Sequence, residues 1–354
     1  MKENKFWKGK KVLVTGHTGF KGTWLTLWLN SLGAEVYGYS LDPLSIPNLY
    51  QITDASQECH SCYGDINNLQ KLLQYMTTIQ PQIIFHLAAQ PIVGTSYEDP
   101  INTFNTNVLG TAHVLEAARK TKSVKIVINI SSDKCYENDD LPNRLFNEED
   151  RLGGNDPYAA SKACAELVIK AYRKSYFNQD SQSKQIVSSV RAGNVIGGGD
   201  WSKDRLLPDI SRAFIEGKGI KIRKPNAVRP WQHVLEPLNG YLLLAEKMWV
   251  NKEYSGDWNF GPMDDKYMTV EELVNLSMEL WGKKINVEYD SDYHYESTYL
   301  KLDSSKAIQK IGWRPKLTKK ESIEWTVQWY KNYISGNDMK LFTLTQIKDY
   351  QSIL

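Results

Sequence analysis

A cluster of polar side chains follows an apolar run near the middle of the chain. The run is IVINI (126–130), and SSDKCY (131–136) comes directly after it. Four of these six side chains can move protons or hydrogen-bond a substrate, yet they stand where a buried strand should end. Asp133 and Lys134 are adjacent there. An exposed ion pair at the end of a strand is the simple alternative to a catalytic role for them.

A tyrosine and a lysine with helical spacing form a second candidate group. Tyr158 and Lys162 are four residues apart in a predicted helix over 157–176, so their side chains share one face. A phenol near its ordinary pKa of about 10 is a poor base at neutral pH. An adjacent ammonium favours the phenolate, and Ser131 and Ser132 would face the same point. The group is therefore suited to take a proton from a hydroxyl; a surface tyrosine and lysine is the alternative.

Short apolar runs alternate with helix-period segments through the first half of the chain. The predicted strands cover 11–16, 35–40, 82–90, 125–132 and 185–197, with a short one before Asp65, and the predicted helices cover 23–33, 67–79, 102–120 and 157–176. Strands that are buried on both faces and joined by crossover helices predict an α/β fold with a doubly wound parallel sheet. The second half is less regular, with amphipathic helices at 268–282 and 319–333. It has no linker, which predicts a smaller, interleaved C-terminal domain.

Three glycines mark the first strand–helix junction. GHTGFKG places Gly16, Gly19 and Gly22 three residues apart. A tight turn out of a strand needs a residue that tolerates positive φ, and close approach of the backbone to a pyrophosphate needs a missing Cβ. The helix that follows offers free N–H groups to the anion. Because the motif stands at the first strand–helix turn, it predicts a dinucleotide site.

The sequence favours NAD over NADP. The usual ribose-binding acid is missing from the end of the second strand, and Asp42 lies two residues beyond Ser40. No lysine or arginine occurs from 23 through 70, whereas a 2′-phosphate would want an arginine there. Lys21 is the nearby cation that could reverse this preference. Asp65 is placed to accept from the adenine amino group, with a helix N-cap as its alternative role.

Composition and charge limit the class of protein. The length of 354 residues allows about two domains. Of the residues, 41% are hydrophobic and 24% are charged, and the net charge is +2. This balance predicts neither a nucleic-acid nor a membrane partner. The apolar stretch behind the basic start is too short for a signal peptide, and no run approaches a membrane span of about 20 residues. Four cysteines are too few for a disulfide scaffold, so we expect the cytoplasm. CHSC (59–62) lacks the second ligand pair of a zinc site, so no metal is expected.

The motifs together resemble the extended short-chain dehydrogenase/reductase family. The glycine turn, HLAAQP (86–91), the serine pair and YAASK carry the resemblance, and 302–316 is similar to the family's C-terminal portion. Within the family, SDKCYE, AGNVIGGGDW and RPWQHVLEPLNGYL most closely resemble the CDP-glucose 4,6-dehydratases. The resemblance implies a Rossmann-type sheet, a regenerated NAD, CDP-glucose as substrate and a role in deoxysugar biosynthesis. It also implies a homodimer with a four-helix interface built from 102–120 and 157–176, both apolar around much of their circumference.

The resemblance assigns residues and domains as well. The expected cofactor contacts are Gly16, Thr18, Gly19, Phe20, Gly22, Asp65, Ile66, Leu87, Ala88, Ala89, Asn107, Tyr158 and Lys162. Asn107 would hold backbone geometry near the active site, or be a core amide. We expect residues 1–192 with about 232–261 to bind the dinucleotide, and about 193–231 with 262–354 to bind the nucleotide sugar.

The chemistry that the resemblance implies explains the polar cluster. Tyr158, aided by Lys162 and Ser132, would remove the proton of the sugar 4-hydroxyl while NAD accepts the C4 hydride. The new ketone acidifies the C5 hydrogen, one group removes that proton, another protonates the departing 6-hydroxyl, and the hydride returns to C6. A dehydratase therefore needs an extra acid and an extra base, and Asp133 and Lys134 are positioned to supply them.

Lys134 is a departure from related dTDP-glucose dehydratases, which carry Asp-Glu at these two positions. A lysine can act as a base only if burial or a neighbouring positive charge lowers its pKa by several units from about 10.4. Otherwise Lys134 stabilises the enolate, and Glu137 or water takes the proton. Asp133 must be neutral in order to donate.

Substrate contacts follow from the same resemblance. An arginine suits the diphosphate because its planar fork donates two hydrogen bonds, and a tryptophan can stack on a nucleobase, although a core position is its alternative role. The expected residues are Gln90, Asn194, Arg205, Arg229 and Trp231, with Trp201 as a second stacking candidate. The identity of the base as cytosine rests on the resemblance alone.

Two other functions remain open from the sequence. A nucleotide-sugar 4-epimerase needs only the tyrosine and the hydride carrier, so the Rossmann-type motifs fit it equally. A non-catalytic NAD-binding regulatory protein would keep the fold, but such proteins usually lack the tyrosine or the lysine, and this chain has both Tyr158 and Lys162.

Overall fold

A parallel sheet of seven strands forms the centre of the molecule, in the order β11-β6-β5-β4-β1-β2-β3. The computed structural model describes residues 5–142, 144–177, 184–263, 268–289 and 299–354. The strands are β1 (Lys11–Thr15), β2 (Glu35–Ser40), β3 (His60–Tyr63), β4 (Ile83–His86), β5 (Ile126–Ile130), β6 (Ile186–Ala192), β7 (Val195–Ile196), β8 (Ile220–Ile222), β9 (Val228–Arg229), β10 (Gln232–His233), β11 (Gly256–Phe260), β12 (Met268–Thr269) and β13 (Val287–Tyr289). The pairs within the seven-stranded sheet are all parallel, which confirms the predicted fold class.

Helices cover both faces of this sheet. They are α1 (Phe20–Ser31), α2 (Leu49–Ile52), α3 (Leu69–Ile79), α4 (Val93–Glu98), α5 (Pro100–Phe104), α6 (Gly110–Lys120), α7 (Pro157–Tyr176), α8 (Leu206–Glu216), α9 (Leu235–Val250), α10 (Val270–Trp281), α11 (Ser305–Ile311), α12 (Lys319–Ile334) and α13 (Met339–Ser352). None of the helices in the described ranges is long and apolar enough to cross a bilayer.

The apolar strands are explained by burial on both faces. Along β1, Val12 and Val14 join the core covered by α1 and α9, whereas Leu13 between them joins the core covered by α3, α6 and α7. Successive side chains of a strand point to opposite faces, so a strand between two helical layers is apolar at every position. β4 and β5 divide their side chains between the same two cores.

Local signals account for the ends of the long helices. Helix α7 begins with Pro157 in its first turn, and the Asp156 side chain accepts from the Ala159 N–H. The predicted helix over 102–120 begins earlier, at Pro100, and contains a π-helical turn at Asn105–Leu109. Patterning alone does not predict that turn, which is a feature often found near functional sites.

The second half of the chain adds short two-stranded pairs and helices beside the sheet. β7 pairs with β10, β9 with β12 and β8 with β13. Helices α8, α10 and α12 contact one another, and α12 reaches β7 and β10. Helix α13 packs on α1, so the end of the chain returns to the helices that cover the seven-stranded sheet. The division into a cofactor domain and a sugar domain stays a prediction.

A buried ion pair fixes α7 to the sheet. The Arg191 Nη2 of β6 lies 2.8 Å from the Glu166 Oε2 of α7, and both side chains are almost fully buried. Ser189 Oγ donates to the other oxygen of Glu166, and Arg191 Nη1 donates to Tyr136 Oη at 2.8 Å. Because Glu166 follows Lys162 by one turn, this pair also sets the position of Lys162.

We expect Arg191→Met to lower the free energy of unfolding by about 3–5 kcal/mol, because Glu166 would lose the partner of a buried charge. Arg119→Met is the matched control, since it breaks the partly exposed pair with Glu116 and should cost about 1 kcal/mol or less. Urea denaturation of both variants measures the difference. Equal losses of unfolding free energy in the two variants would contradict the larger stabilisation that we assign to the buried pair.

Candidate active site

The carboxyl ends of the sheet strands open into a cleft of about 380 Å³. Its walls contain many of the predicted site residues: Phe20, Leu87, Ala89, Ser132, Asp133, Lys134, Tyr158, Lys162, Asn194, Arg205, Arg229 and Trp231. The cleft therefore brings together all five predicted catalytic side chains and four of the five predicted substrate residues.

Two glycines of the first turn are required by the packing of the turn itself. Gly16 has φ +75°, and a Cβ there would lie 2.7 Å from the Ala88 nitrogen. A Cβ on Gly22 would lie 2.0 Å from the Gly16 carbonyl oxygen. Both contacts are with backbone atoms, so a side chain at either position forces the turn to move.

Gly19 is different, because the protein itself leaves room for a side chain there. Its φ is −79°, and a Cβ would meet only the Gly16 oxygen at 3.4 Å. Gly19 is the N-cap of α1, no side chain caps this helix, and its first turn has no acid. The first N–H groups of α1 are thus available to an anion, and the missing Cβ leaves its approach open. This geometry fits a dinucleotide pyrophosphate.

Polar groups at the ends of β2 and β3 form the neighbouring part of the site. Thr18 Oγ1 lies 2.8 Å from Ser40 Oγ and donates to the Leu41 carbonyl oxygen. Asp65 is exposed, and its Oδ1 accepts from the Asn67 N–H. Helix α3 is capped by Asn68, so Asp65 is not the helix cap that the sequence left open. The next residue, Ile66, is buried and packs against Gly110 in α6.

Asn107 holds the loop that follows β4. Its Oδ1 accepts from the Gln90 N–H at 2.8 Å, and its Nδ2 donates to the Gln90 carbonyl oxygen and to Ser161 Oγ. Asn107 is buried in the π-helical turn, so it orders backbone rather than facing solvent. The Gln90 side chain is itself bonded to Thr103 Oγ1 and to the Ile92 N–H. Both ends of the predicted substrate-binding amide are therefore engaged within the protein.

Tyr158 and Lys162 lie in the cleft wall with less than a tenth of each exposed. Burial raises the pKa of the Tyr158 phenol to about 12, while a hydrogen bond with Ser132 and the charge of Arg205 act in the opposite direction. Burial lowers the pKa of Lys162 to about 8, against the raising effect of Glu166. Desolvation outweighs the cationic neighbours of the phenol, so additional positive charge is needed to make it a base.

Asp133 begins a short 3₁₀ turn directly after β5, and its carboxyl group is buried. Ser132 Oγ donates to its Oδ1 at 3.0 Å, whereas Oδ2 is buried without a hydrogen-bond partner among the described residues. Burial raises the pKa of this carboxyl, although the charges of Lys134 and Arg229 oppose the shift. The neutral acid is thereby favoured, which is the form that can donate a proton. Asp133 is not part of an exposed ion pair.

The predicted substrate residues lie in the outer walls of the cleft. Arg205 Nη1 is 3.3 Å from Asp200 Oδ2, which orients the guanidinium, and Arg229 is buried with its Nη1 bonded to the Val228 carbonyl oxygen. Asn194 is partly buried between β6 and β7. Trp231 is only 4% exposed, and its indole belongs to the main core, so little of its ring is open for stacking.

Comparison with known proteins identifies the family. The family described as GDP-mannose 4,6 dehydratase matches residues 13–326. The chain belongs to this family. The CDP-glucose 4,6-dehydratase of Salmonella typhimurium is 47% identical over 356 residues, which cover 99% of each chain. This confirms the expected membership of the extended short-chain dehydrogenase/reductase family.

Solved structures agree with that assignment. DesIV, a dTDP-glucose 4,6-dehydratase from Streptomyces venezuelae with NAD and TYD bound, has a TM-score of 0.80 at 23% identity, covering 93% of this chain and 99% of that one. The dTDP-glucose 4,6-dehydratase from Bacillus anthracis, in complex with NAD, has a TM-score of 0.76 at 25% identity, covering 94% and 100%. The predicted Rossmann-type fold is confirmed.

This member of the GDP-mannose 4,6 dehydratase family has further cleft residues that sequence reasoning did not assign to a catalytic or substrate role. They are Lys21, Asp200, Asp204, Lys221, Arg223 and Lys224. Lys21 was expected only as a possible partner for a 2′-phosphate, but it lies in the cleft wall, where it interacts with the charges of Arg205, Lys162 and Asp133. The sequence signal that could have placed Lys21 in the cleft was its position in the first turn of α1, directly after Phe20.

The two classes of glycine in the turn can be separated by alanine substitution. Gly22→Ala should lower the free energy of unfolding by about 1–3 kcal/mol, because its Cβ overlaps the Gly16 oxygen. Gly19→Ala should cost about 1 kcal/mol or less, the usual loss at an N-cap, but should weaken dinucleotide binding. Urea denaturation and titration calorimetry measure the two effects. Unchanged dinucleotide affinity in Gly19→Ala would contradict the proposed approach of the anion.

Proposed function

We propose that the protein is a CDP-glucose 4,6-dehydratase, which converts CDP-D-glucose to CDP-4-dehydro-6-deoxy-D-glucose and water with NAD as a regenerated carrier. The 47% identity to such an enzyme over 99% of both chains carries this conclusion. The cleft supports it chemically, because a buried carboxyl group lies in the same wall as the tyrosine–lysine pair.

The residues present fit NAD. The N-terminus of α1 with Gly19 would hold the pyrophosphate, and the Asp65 carboxylate would accept from the adenine. The dTDP-glucose 4,6-dehydratase of 25% identity was solved with NAD. The absence of lysine and arginine from 23 through 70 favours NAD over NADP, and Lys21 lies in the cleft wall. When bound, NAD supplies a hydride acceptor and a positive charge near the phenol.

Three side chains act at the sugar 4-hydroxyl in this proposal. Tyr158 Oη takes the proton of that hydroxyl, Ser132 Oγ hydrogen-bonds the same oxygen, and Lys162 keeps positive charge beside the forming phenolate. The phenol needs that help because burial raises its pKa to about 12. The proton is therefore taken in step with oxidation at C4 and not before it.

Asp133 is assigned the second proton transfer. Burial raises the pKa of its carboxyl group, which favours the protonated form that can donate to the departing 6-hydroxyl. Lys134, half-buried in the same wall, provides positive charge for the enolate oxygen that forms when C5 loses its proton. Arg205 and Arg229 would hold the diphosphate, with Asn194 beside the sugar.

The two alternative functions, a 4-epimerase and a non-catalytic NAD-binding protein, explain fewer of the residues in the cleft. A 4-epimerase has no use for the buried carboxyl group of Asp133, since it neither removes a C5 proton nor expels a hydroxyl. A non-catalytic NAD-binding protein has no need of Tyr158 and Lys162 desolvated in one cleft. We place the enzyme in the cytoplasm, where NAD and nucleotide sugars are available and where its free thiols stay reduced.

Incubation with NAD and CDP-glucose should yield a 4-keto-6-deoxy product, detected by the absorbance that alkali induces in 4-keto sugars. Asp133→Asn should still oxidise C4, because Tyr158 and Lys162 remain, but should form product about 10²–10⁴-fold more slowly. Tyr158→Phe is the control that loses oxidation at C4 while NAD still binds. A 4-epimer as the product of the unmodified enzyme would refute the function.

A homodimer through α5, α6 and α7 is part of the same proposal. Helices α5 and α6 both pack against α7, and they carry exposed apolar side chains, among them Ile101 of α5 and Leu167 of α7. We expect Leu167→Glu to yield a monomer in sedimentation experiments, whereas Leu341→Glu, at a somewhat more exposed position on α13, should not. A monomeric unmodified protein at micromolar concentration would contradict the interface.

A further inference from the structure

The proposed dehydration requires a base at C5, and the two bases expected from the sequence are poorly supported by their positions. Glu137 is exposed and packs beside Gly153, outside the cleft wall. Lys134 is half-buried and directly follows Asp133. It is assigned above to supply positive charge to the enolate oxygen, a role that a neutral base cannot fill. Removal of the C5 proton therefore lacks an obvious acceptor. This inference rests on the function proposed above.

Lys21 occupies the cleft in a way that suits this role. It is the second residue of α1 and lines the cleft together with Asp133, Tyr158 and Lys162. Its Nζ lies 5.8 Å from the centre of the Tyr241 ring. Among the described residues Lys21 forms no ion pair, and the charge of Asp133 raises its pKa by less than burial and the neighbouring cations lower it.

The electrostatic surroundings of Lys21 favour its neutral form. Burial and, after it, the positive charges of Arg205 and Lys162 lower its pKa to about 7, against the raising effect of Asp133. A lysine with this pKa is about half neutral at pH 7, and a neutral amine is a competent general base. The groups that face it are the cations Arg205 and Lys162, the carboxyl of Asp133, whose own pKa is raised by burial, and the buried phenol of Tyr241.

We propose that Lys21 is the catalytic base at C5 of the sugar. The Lys21 Nζ lone pair takes the C5 proton of the 4-keto sugar, and the C5–H electrons form the C4–C5 enolate. As the enolate collapses, a C5–C6 double bond forms, the C6–O bond breaks, and the hydroxyl leaves as water with the proton of Asp133. When C6 receives the hydride, the Lys21 ammonium returns a proton to C5. The proton that Tyr158 took from the 4-hydroxyl passes to Asp133 through Ser132, which hydrogen-bonds both residues, so all of these side chains end the turnover unchanged.

The proton held on Lys21 can exchange with solvent, so in D₂O the wild-type enzyme should place deuterium at C5. The test compares Lys21→Met with Lys134→Met, two lysines of the same cleft replaced by the same unbranched side chain. Each is mixed with NAD and CDP-glucose, and C4 oxidation is followed by the absorbance of the reduced cofactor. Deuterium at C5 of the recovered nucleotide sugar reports the base. Calorimetric affinities for NAD and CDP-glucose show whether binding is intact.

We expect Lys21→Met to bind both ligands and oxidise C4, but to lose C5 exchange by about 10²–10⁴-fold. Wild-type exchange should rise from pH 6 to pH 8, because the neutral amine forms as the pH passes the lowered pKa of about 7. Lys134→Met should exchange more slowly than wild type yet keep this rise, since it loses only charge near the enolate. Primary amines added to Lys21→Ala should restore exchange in proportion to their free-base concentration.

Wild-type rates of C5 exchange in Lys21→Met would overturn the proposal, as would loss of the pH-dependent rise in Lys134→Met alone. Loss of NAD affinity or of C4 oxidation in Lys21→Met would also overturn it, by assigning Lys21 to the cofactor. Failure of the dehydratase function itself is seen separately, as absence of 4-keto-6-deoxy product from the unmodified enzyme.

Discussion

Desolvation of ionisable side chains at the carboxyl edge of the sheet is the constraint on which the site depends. Asp133, Tyr158 and Lys162 are each less than a tenth exposed, and burial is the largest influence on the pKa of all three. A charge buried without a full complement of partners is costly, so each group shifts toward its neutral form. That shift favours the form of Asp133 that can donate a proton, and it makes the Tyr158 phenol dependent on positive charge that arrives with its ligands.

The contacts that keep these side chains buried are those between the sheet, α7 and the loops that follow the strands. The buried pair of Arg191 and Glu166 fixes α7 against β6, one turn away from Lys162. At the ends of β5 and β6 the backbone of Gly193 passes so close to Asp133 that a Cβ would lie 3.0 Å from its Oδ2. The Asn107 side chain orders the loop after β4 in the same region. The backbone at Gly193 thus limits how far the Asp133 carboxyl can move on that side.

The sequence allowed the sheet, the crossover helices and most of the cleft to be predicted, because these follow from local patterns. Apolar runs between helical segments indicate strands buried on both faces, and the four-residue spacing of Tyr158 and Lys162 places them on one helical face. Other features depend on contacts between distant residues. The amide of Gln90 is engaged by Thr103, and the ring of Trp231 lies in the core, neither of which a local motif reveals. The position of Lys21 opposite Arg205 likewise depends on how α1 meets the segment before α8.

The protonation state of Asp133 is the most direct test of this account. Infrared difference spectra of the unmodified protein and Asp133→Asn, recorded across a range of pH in ordinary and heavy water, isolate the carboxyl stretch of this one side chain. The account predicts a carboxyl whose titration midpoint lies above the ordinary value of about 3.9 for an aspartate. A carboxylate that titrates at the ordinary value would show that burial does not control the site, and would contradict the central claim.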